Sequence, residues 1–443
     1  MKKTSAFVAV FTLLLSFVVP IASDCFARPD AGAKFSITRE ENPKGEKETL
    51  ILPYAFPSDS MGTTFGVGAI AKGYGQDQLL FGGTVYGSLD DARGIIAGMW
   101  DYRLPKTERF YLSILGALSY FPRQRAYTEV PRRPSGTVPA QAGTNDSDED
   151  NYVEDDGNDN WVDIKLEYVL PIGSMANSGM AQYHLKDGIL QSGATGGDIW
   201  NPLESGVSVL LFGSTSRYQS YNTESFTFDG DTYPFQIGYL YNNTDFPSNP
   251  TKGSSQYLSY QQDFSDSNSG NWNFLEFEAS KYFDLGTSGS ARQRVFALNF
   301  WTGSSLSWNE TINAEGVTVV EDNPPFLEGA RLGGFYRMKG YPNNRFNDRS
   351  VIYTTAEYRH TLTWNPVANV SWLRWLKLDW FQLVGFVEGG RVAGDYEFSE
   401  LFSDWKADVG IGIRSMMAGS VVRFDMAVSD EGGAAWVMFG HPF

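Results

Sequence analysis

The sequence predicts an all-β protein, a 16-stranded antiparallel transmembrane β-barrel with a long loop folded into its lumen. Three observations carry that prediction. Segments of about ten residues alternate between apolar and polar side chains, the length at which a tilted strand crosses a bilayer. Aromatic residues gather near the ends of such segments. An N-terminal export signal precedes them, and no later apolar run is long enough for a membrane-spanning helix.

The alternation is plain in WVDIKLEYVL, where Val162, Ile164, Leu166, Tyr168 and Leu170 share one face and Asp163, Lys165 and Glu167 the other. WKADVGIGIR sets Trp405, Ala407, Val409, Ile411 and Ile413 against Lys406, Asp408 and Arg414. VVRFDMAV sets Val422, Phe424, Met426 and Val428 against Arg423 and Asp425. TTAEYRHTLTW sets Ala356, Tyr358, Leu362 and Trp364 against Thr355, Glu357, Arg359 and Thr361. A period of two belongs to a strand with two unlike faces. A soluble sandwich alternates as well, but its strands usually run only about 5–6 residues. Trp364, Trp372, Trp375 and Trp380 sit where an interfacial girdle belongs.

Counting back from the C-terminus, strands are expected near 434–443, 420–429, 405–415, 378–391, 350–364, 291–305, 271–283 and 253–264. Eight more lie near 231–242, 205–221, 159–171, 107–120, 91–103, 77–88, 61–73 and 48–56. An even number brings both termini to the periplasmic side. The short links LPKTE (104–108) and MMAGS (416–420) then fall on that side, and the long segments 121–158 and 306–349 fall outside. Residues 172–204 are the exception, a long link on the periplasmic side.

The stretch RLGGFYRMKGYPNNRF (331–346) mixes cations and aromatics in a way that suits neither a core strand nor a solvated loop. A loop folded into a polar-walled lumen accepts both. In these residues the chain resembles the BamA/TamA superfamily of outer-membrane assembly and translocation barrels, also called bacterial surface antigens. The family's sixth loop carries Val-Arg-Gly-Phe/Tyr after a Gly-Gly pair; here Gly333-Gly334 precedes Met338-Lys339-Gly340-Tyr341. The family's next strand often reads Ala-Glu-Tyr-Arg, as Ala356, Glu357, Tyr358 and Arg359 do. Its following strand carries Gly-Phe-x-Asp-x-Gly, matched by Gly385, Phe386, Glu388 and Gly390 with Glu for Asp. A Pro-Thr-Arg-Gly turn is echoed by Pro250-Thr251-Lys252-Gly253. The resemblance covers about 230–443 well. The final Phe443, with Phe439 and Val437 expected on its face, resembles the C-terminal signal of outer-membrane barrels.

The resemblance implies an outer-membrane scaffold for inserting or translocating proteins or lipids, with a partly plugged, porin-like passive channel as the alternative. It implies that the loop tip Lys339, Gly340 and Tyr341 is locked against lumenal carboxylates, here Glu388 and Asp425. Gly333, Gly334, Glu357, Arg359 and Phe386 support the lock, and Arg337 is a rival for the contact. Both carboxylates lie on polar strand faces, since a lipid-facing carboxylate is costly. The family's Arg binds a carboxylate through two parallel hydrogen bonds, a geometry the Lys339 side chain cannot copy.

Residues 1–27 read as a signal peptide, with Lys2 and Lys3, an apolar run from Ala6 to Val19, and cleavage after Ala27. A lipoprotein reading at Cys25 is opposed by Asp24, where a small residue is expected. Cleavage after Ala27 leaves no cysteine and so no disulfide. Residues 28–47 form a short periplasmic segment and 48–443 the barrel. The family usually carries POTRA domains ahead of the barrel, and about twenty residues leave no room for one, so a barrel-only member is expected.

The net charge of −17 argues against nucleic-acid binding. His184, His360 and His441 show no metal-ligand spacing, and no catalytic residue or cofactor is expected. NDSDEDNYVEDDGNDN (145–160) fails the EF-hand pattern at Asn151 and Gly157 and reads as a solvated extracellular loop. Arg123, Arg125, Arg132 and Arg133 at its base are positioned to meet lipopolysaccharide, which with outer-membrane lipid is the expected partner.

Overall fold

The structure is a computed structural model. It describes residues 31–443 except 41–46, 59, 130–131, 135, 223–226, 266–269, 315, 317, 368–369, 371–375 and 418. The expected signal peptide, Trp372 and Trp375 lie outside the described residues.

Sixteen antiparallel strands build the barrel wall, and every consecutive pair is laddered. The first six are β2 (Glu48–Ser58), β3 (Gly62–Lys72), β4 (Leu80–Ser88), β5 (Arg93–Arg103), β6 (Phe110–Ala126) and β7 (Val153–Val169). They follow a short strand, β1 (Phe35–Arg39), and precede a small hairpin, β8 (Ala181–Lys186) and β9 (Ile189–Ser192). The wall resumes with β10 (Val207–Asn222), β11 (Thr227–Thr232), β12 (Phe235–Asn242), β13 (Gly253–Gln262), β14 (Asn273–Asp284) and β15 (Ala291–Ser304). The long loop after β15 carries two hairpins, β16 (Asn309–Ile312) with β17 (Thr318–Glu321), and β18 (Ala330–Leu332) with β19 (Phe346–Asp348). The last wall strands are β20 (Ser350–Leu362), β21 (Leu378–Ala393), β22 (Lys406–Met417), β23 (Ser420–Ser429) and β24 (Gly432–Phe439).

β11 and β12 are halves of one wall strand. β10 pairs β11 along Arg217 to Asn222 and β12 along Val207 to Ser214. The break falls at Pro234, which has no N–H to give a ladder. The wall strands form one closed barrel. Tyr54 of β2 packs in the same lumenal cluster as Trp436 of β24, together with residues of β5, β6 and β7.

The alternation sorts the side chains between lumen and lipid. On β22, Ile411 is 61 % exposed on the outer face while Asp408 and Arg414 are buried inside. Ile51, Val67, Ile95, Leu118, Leu258 and Val387 continue the outer apolar belt around the wall. Such a belt is matched to hydrocarbon and would be an aggregation surface in water.

The long link 172–204, expected on the periplasmic side, packs with β1 across one mouth of the barrel. β8 pairs with β9 and, in parallel, with β1. The Phe35 ring packs edge-on against Tyr183 at 5.4 Å and Phe246 at 6.1 Å. Lys34 reaches into the lumen and its Nζ lies 2.6 Å from both Asp101 and Glu167. Burial pushes the Lys34 pKa down, but the two carboxylates outweigh it and raise the pKa above the ordinary lysine value. Lys34→Ala leaves both carboxylates without this cation and is expected to loosen β1. Hydrogen exchange should then lose protection at the β1–β8 amides, with the wall strands unchanged; retained protection would show the ion pairs to be dispensable.

Three sequence expectations are corrected. Residues 153–160 are not solvated loop but the outer part of β7, where Asp159 accepts two hydrogen bonds from Arg217 at 2.9 and 2.8 Å. The four arginines at the loop's base have protein partners, Arg123 with Asp90 at 2.7 Å, Arg125 with Glu154, Arg132 with Asn347 at 2.7 Å and Arg133 with Glu129 at 2.6 Å, while Arg123 and Arg125 remain 41 % and 36 % exposed. Trp380 is no girdle residue, being buried with its Nε1 donating to the Gly188 carbonyl at 3.0 Å. Phe443 does not extend the last strand. β24 stops at Phe439, Gly440 turns the chain at φ 79°, and the Phe443 ring stacks on Tyr282.

Candidate functional site

The tip of the long loop, residues 333–345, projects from the neck formed by β18 and β19 into the lumen. Its turn is tied by Gly333 N–H to the Arg337 carbonyl at 3.1 Å and Gly334 N–H to the Tyr341 carbonyl at 3.2 Å. Gly333 and Gly334 have φ of 107° and 101°, a region that side-chain-bearing residues rarely enter. A Cβ on Gly333 would also meet the Pro342 carbonyl oxygen at 2.2 Å.

Lys339 is fully buried. Its backbone N–H donates to Glu388 Oε2 at 2.7 Å, and its ammonium donates to Glu388 Oε1. One carboxylate is thus held at both oxygens by a single residue, the main chain supplying the bond that the lysine side chain lacks. The ammonium also lies 4.3 Å from the Phe386 ring centre. Tyr353 donates its hydroxyl to Glu388 as well, and the Lys339 carbonyl accepts from Trp436 Nε1 at 2.8 Å.

The second carboxylate at the tip is Asp408, directly across the β21–β22 ladder from Glu388. It accepts the Gly340 N–H at 2.8 Å. Asp425, expected in this role, instead accepts from Arg423 Nη1 at 2.7 Å, with Arg414 at 3.9 Å. The reason is local: Arg423 and Asp425 share the inner face of one strand, two residues apart. Gly340 is needed here for space rather than for an unusual φ, since a Cβ would lie 2.8 Å from Asp408 Cβ and 2.9 Å from the Val428 carbonyl carbon. Gly340→Ala should therefore undock the tip although Lys339 is intact. Externally added trypsin should then cut at Arg337 or Lys339, and a resistant loop would contradict this packing argument.

The rest of the tip is anchored around the wall. Arg337 stacks over the Trp301 ring, its guanidinium carbon 3.5 Å from the centre, and donates to Glu278 at 2.9 Å. It therefore does not compete for Glu388. Arg423 Nη2 donates to the Phe335 carbonyl at 2.9 Å. The Tyr341 hydroxyl donates to Asp430 Oδ1 at 2.6 Å, and that bond holds the Asp430 carboxyl below its ordinary range. A depressed carboxylate pKa means this anchor holds at neutral pH and is lost as pH falls through the lowered value. Arg345 forks onto Glu431 at 2.7 and 3.0 Å.

Below the tip lies a second lumenal network. Arg414 forks onto Glu357 at 2.9 and 2.6 Å, and Arg359 Nε donates to Glu357 Oε2 at 2.8 Å. Glu357 and Arg359 are thus paired with each other and with Arg414, away from the tip. Asp408, Arg414, Arg423 and Trp436 were not singled out from the sequence. The first three stand at polar positions of alternating strands, and that was the available signal.

An apolar belt, an alternating wall and an ion-paired loop filling the lumen define an outer-membrane β-barrel. The Omp85 superfamily domain matches residues 150–434, and the chain belongs to that superfamily. Among solved structures it is similar to BamA from Haemophilus ducreyi lacking POTRA domains 1–3, at 12 % identity and TM-score 0.45, covering 98 % of this chain and 77 % of that one. It is similar to CdiB from Acinetobacter baumannii, at 10 % identity and TM-score 0.47, covering 89 % and 58 %. It is similar to CdiB from Escherichia coli, at 10 % identity and TM-score 0.50, covering 88 % and 61 %. This chain therefore spans less than two thirds of the length of either CdiB chain. No curated protein matches it.

Proposed function

We propose that this barrel is a scaffold through which polypeptides are inserted into, or moved across, the outer membrane. The observation that carries the reading is a lumen plugged by an ion-paired loop tip in a chain of the Omp85 superfamily. The tip is held by β21, β22, β23 and β24 through Glu388, Asp408, Ser429 and Trp436. β2 carries Pro53, which has no N–H to give a neighbouring strand and so weakens any ladder at that edge. A passive pore has no use for a weak edge, whereas a client strand can pair there.

The test is reconstitution in lipid vesicles with an unfolded outer-membrane barrel as client. The intact protein should accelerate client folding, and a disulfide tether between β2 and β24 should abolish that acceleration reversibly. Undiminished activity in the tethered protein, or a large steady conductance of the intact protein in planar bilayers, would favour the passive channel instead.

A further inference from the structure

The link before β10 carries three bare apolar side chains outside the wall. Ile199, Trp200 and Leu203 are 54 %, 66 % and 71 % exposed. They flank a fixed turn. The Asn201 side-chain oxygen accepts the Leu203 N–H at 3.0 Å, and the Asn201 carbonyl accepts the N–H groups of Glu204 and Ser205 at 3.0 and 2.9 Å. Such an Asn-capped turn sets the course of the chain without a core beneath it.

Trp200 shows which way the patch faces. Its Nε1 donates to Gln256 Oε1 at 3.0 Å, and its ring meets Tyr241 edge-on at 6.0 Å. Tyr241 and Gln256 stand directly opposite each other on the β12–β13 ladder. The next rungs on the same face are Tyr239 with Leu258 and Ile237 with Tyr260. Ile237, Leu258 and Tyr260 are exposed on the lipid side of the wall. Trp200 therefore continues the outer apolar belt past the ends of these strands. A largely bare indole ring whose N–H is satisfied suits the interface of a bilayer. Beside it Lys252 and Asp198 pair at 2.7 Å, both exposed, as charges at headgroup level can be.

The same segment is fastened to the mouth cover. Just before it, the Thr195 hydroxyl lies 2.8 Å from the Tyr183 hydroxyl of β8, and the Thr195 carbonyl accepts the Gly206 N–H at 2.8 Å.

We propose that Ile199, Trp200 and Leu203 form an interfacial lipid anchor, seated in the leaflet at the mouth that β1, β8 and β9 cover, which fastens this cover to the bilayer. Lipid is the occupant because the patch is continuous with the belt that already faces hydrocarbon. The inference uses only the membrane setting of the barrel and does not depend on what the barrel carries.

The test places one thiol probe in the patch. Leu203→Cys in a Cys25→Ser background carries a nitrobenzoxadiazole label and is reconstituted in vesicles of phosphatidylethanolamine and phosphatidylglycerol. Lipid bearing a nitroxide near its headgroup should quench the probe, and iodide on both sides of the membrane should not. The same label at Lys186→Cys, an exposed position of β8, should show the reverse pattern. Adding Ile199→Ser and Trp200→Ser to the labelled Leu203→Cys protein should abolish the nitroxide quenching and restore that by iodide, with heat-modifiable migration on gels unchanged. If Leu203→Cys does not assemble, Ile199→Cys carries the label instead. Iodide quenching in the patch equal to that at position 186, without nitroxide quenching, overturns the proposal. So does a probe shielded from both quenchers, which in the purified system means that a second copy of this chain covers the patch.

Discussion

Lys339→Glu is expected to expel the loop tip and convert a small conductance into a large one while the wall persists. In the native protein one carboxylate takes both the backbone N–H and the ammonium of Lys339, and a second carboxylate takes the next N–H. Reversing the charge places a third carboxylate in a cavity that already holds Glu388 and Asp408. Lys339→Ala should be milder, because the backbone N–H still reaches Glu388. It still removes one partner of a buried pair, a change that typically costs about 3–5 kcal/mol. Planar-bilayer recording reads the outcome, with heat-modifiable migration as the control for the wall. Conductance unchanged in Lys339→Glu would show that Arg337 and Arg345 hold the loop without the tip.

Glu357→Ala is expected to do the opposite, sparing the tip and weakening the wall. Glu357 is the acceptor for the Arg414 fork and for Arg359 Nε, and all three side chains are fully buried. Its loss leaves two guanidinium groups in a low-dielectric lumen without their shared anion, again at about 3–5 kcal/mol and more if neither finds a new partner. The temperature at which the compact gel band disappears should fall. Glu357→Gln should lie between, keeping acceptor and shape without the charge. An unchanged transition in Glu357→Ala would mean that water or Asp425 substitutes for the carboxylate.

The wall was legible because each strand solves the same two-sided problem, and polar residues at every second position mark the lumen. That rule placed Glu388, Asp408, Arg414, Arg423 and Asp425 on the correct face. It could not say which cation meets which carboxylate, because face is a property of one strand and pairing depends on reach between several. Asp425 was paired with Lys339 when its neighbour Arg423 on the same face was nearer. Asp408 was passed over although the β21–β22 register sets it beside Glu388. The tail misled because Val437, Phe439 and Phe443 keep a strand's period while Gly440 and Pro442 break its backbone. The mouth cover was invisible because FSITR is too short to carry a period and finds its partner strand at Ala181, far along the chain.

That mouth cover has a kinetic consequence. β1 precedes the whole wall in sequence, yet every partner it needs comes later. Lys34 waits for Glu167, 133 residues on, and Arg39 for Asp379, 340 residues on. Contacts of such separation are closed late, since their loop entropy is lost before any return. The segment made first is therefore expected to dock late. While it is undocked the mouth it covers stands open, so in pulse-labelled hydrogen exchange the β1–β8 amides should gain protection after those of the consecutive wall hairpins; simultaneous protection would show that the cover forms with the wall.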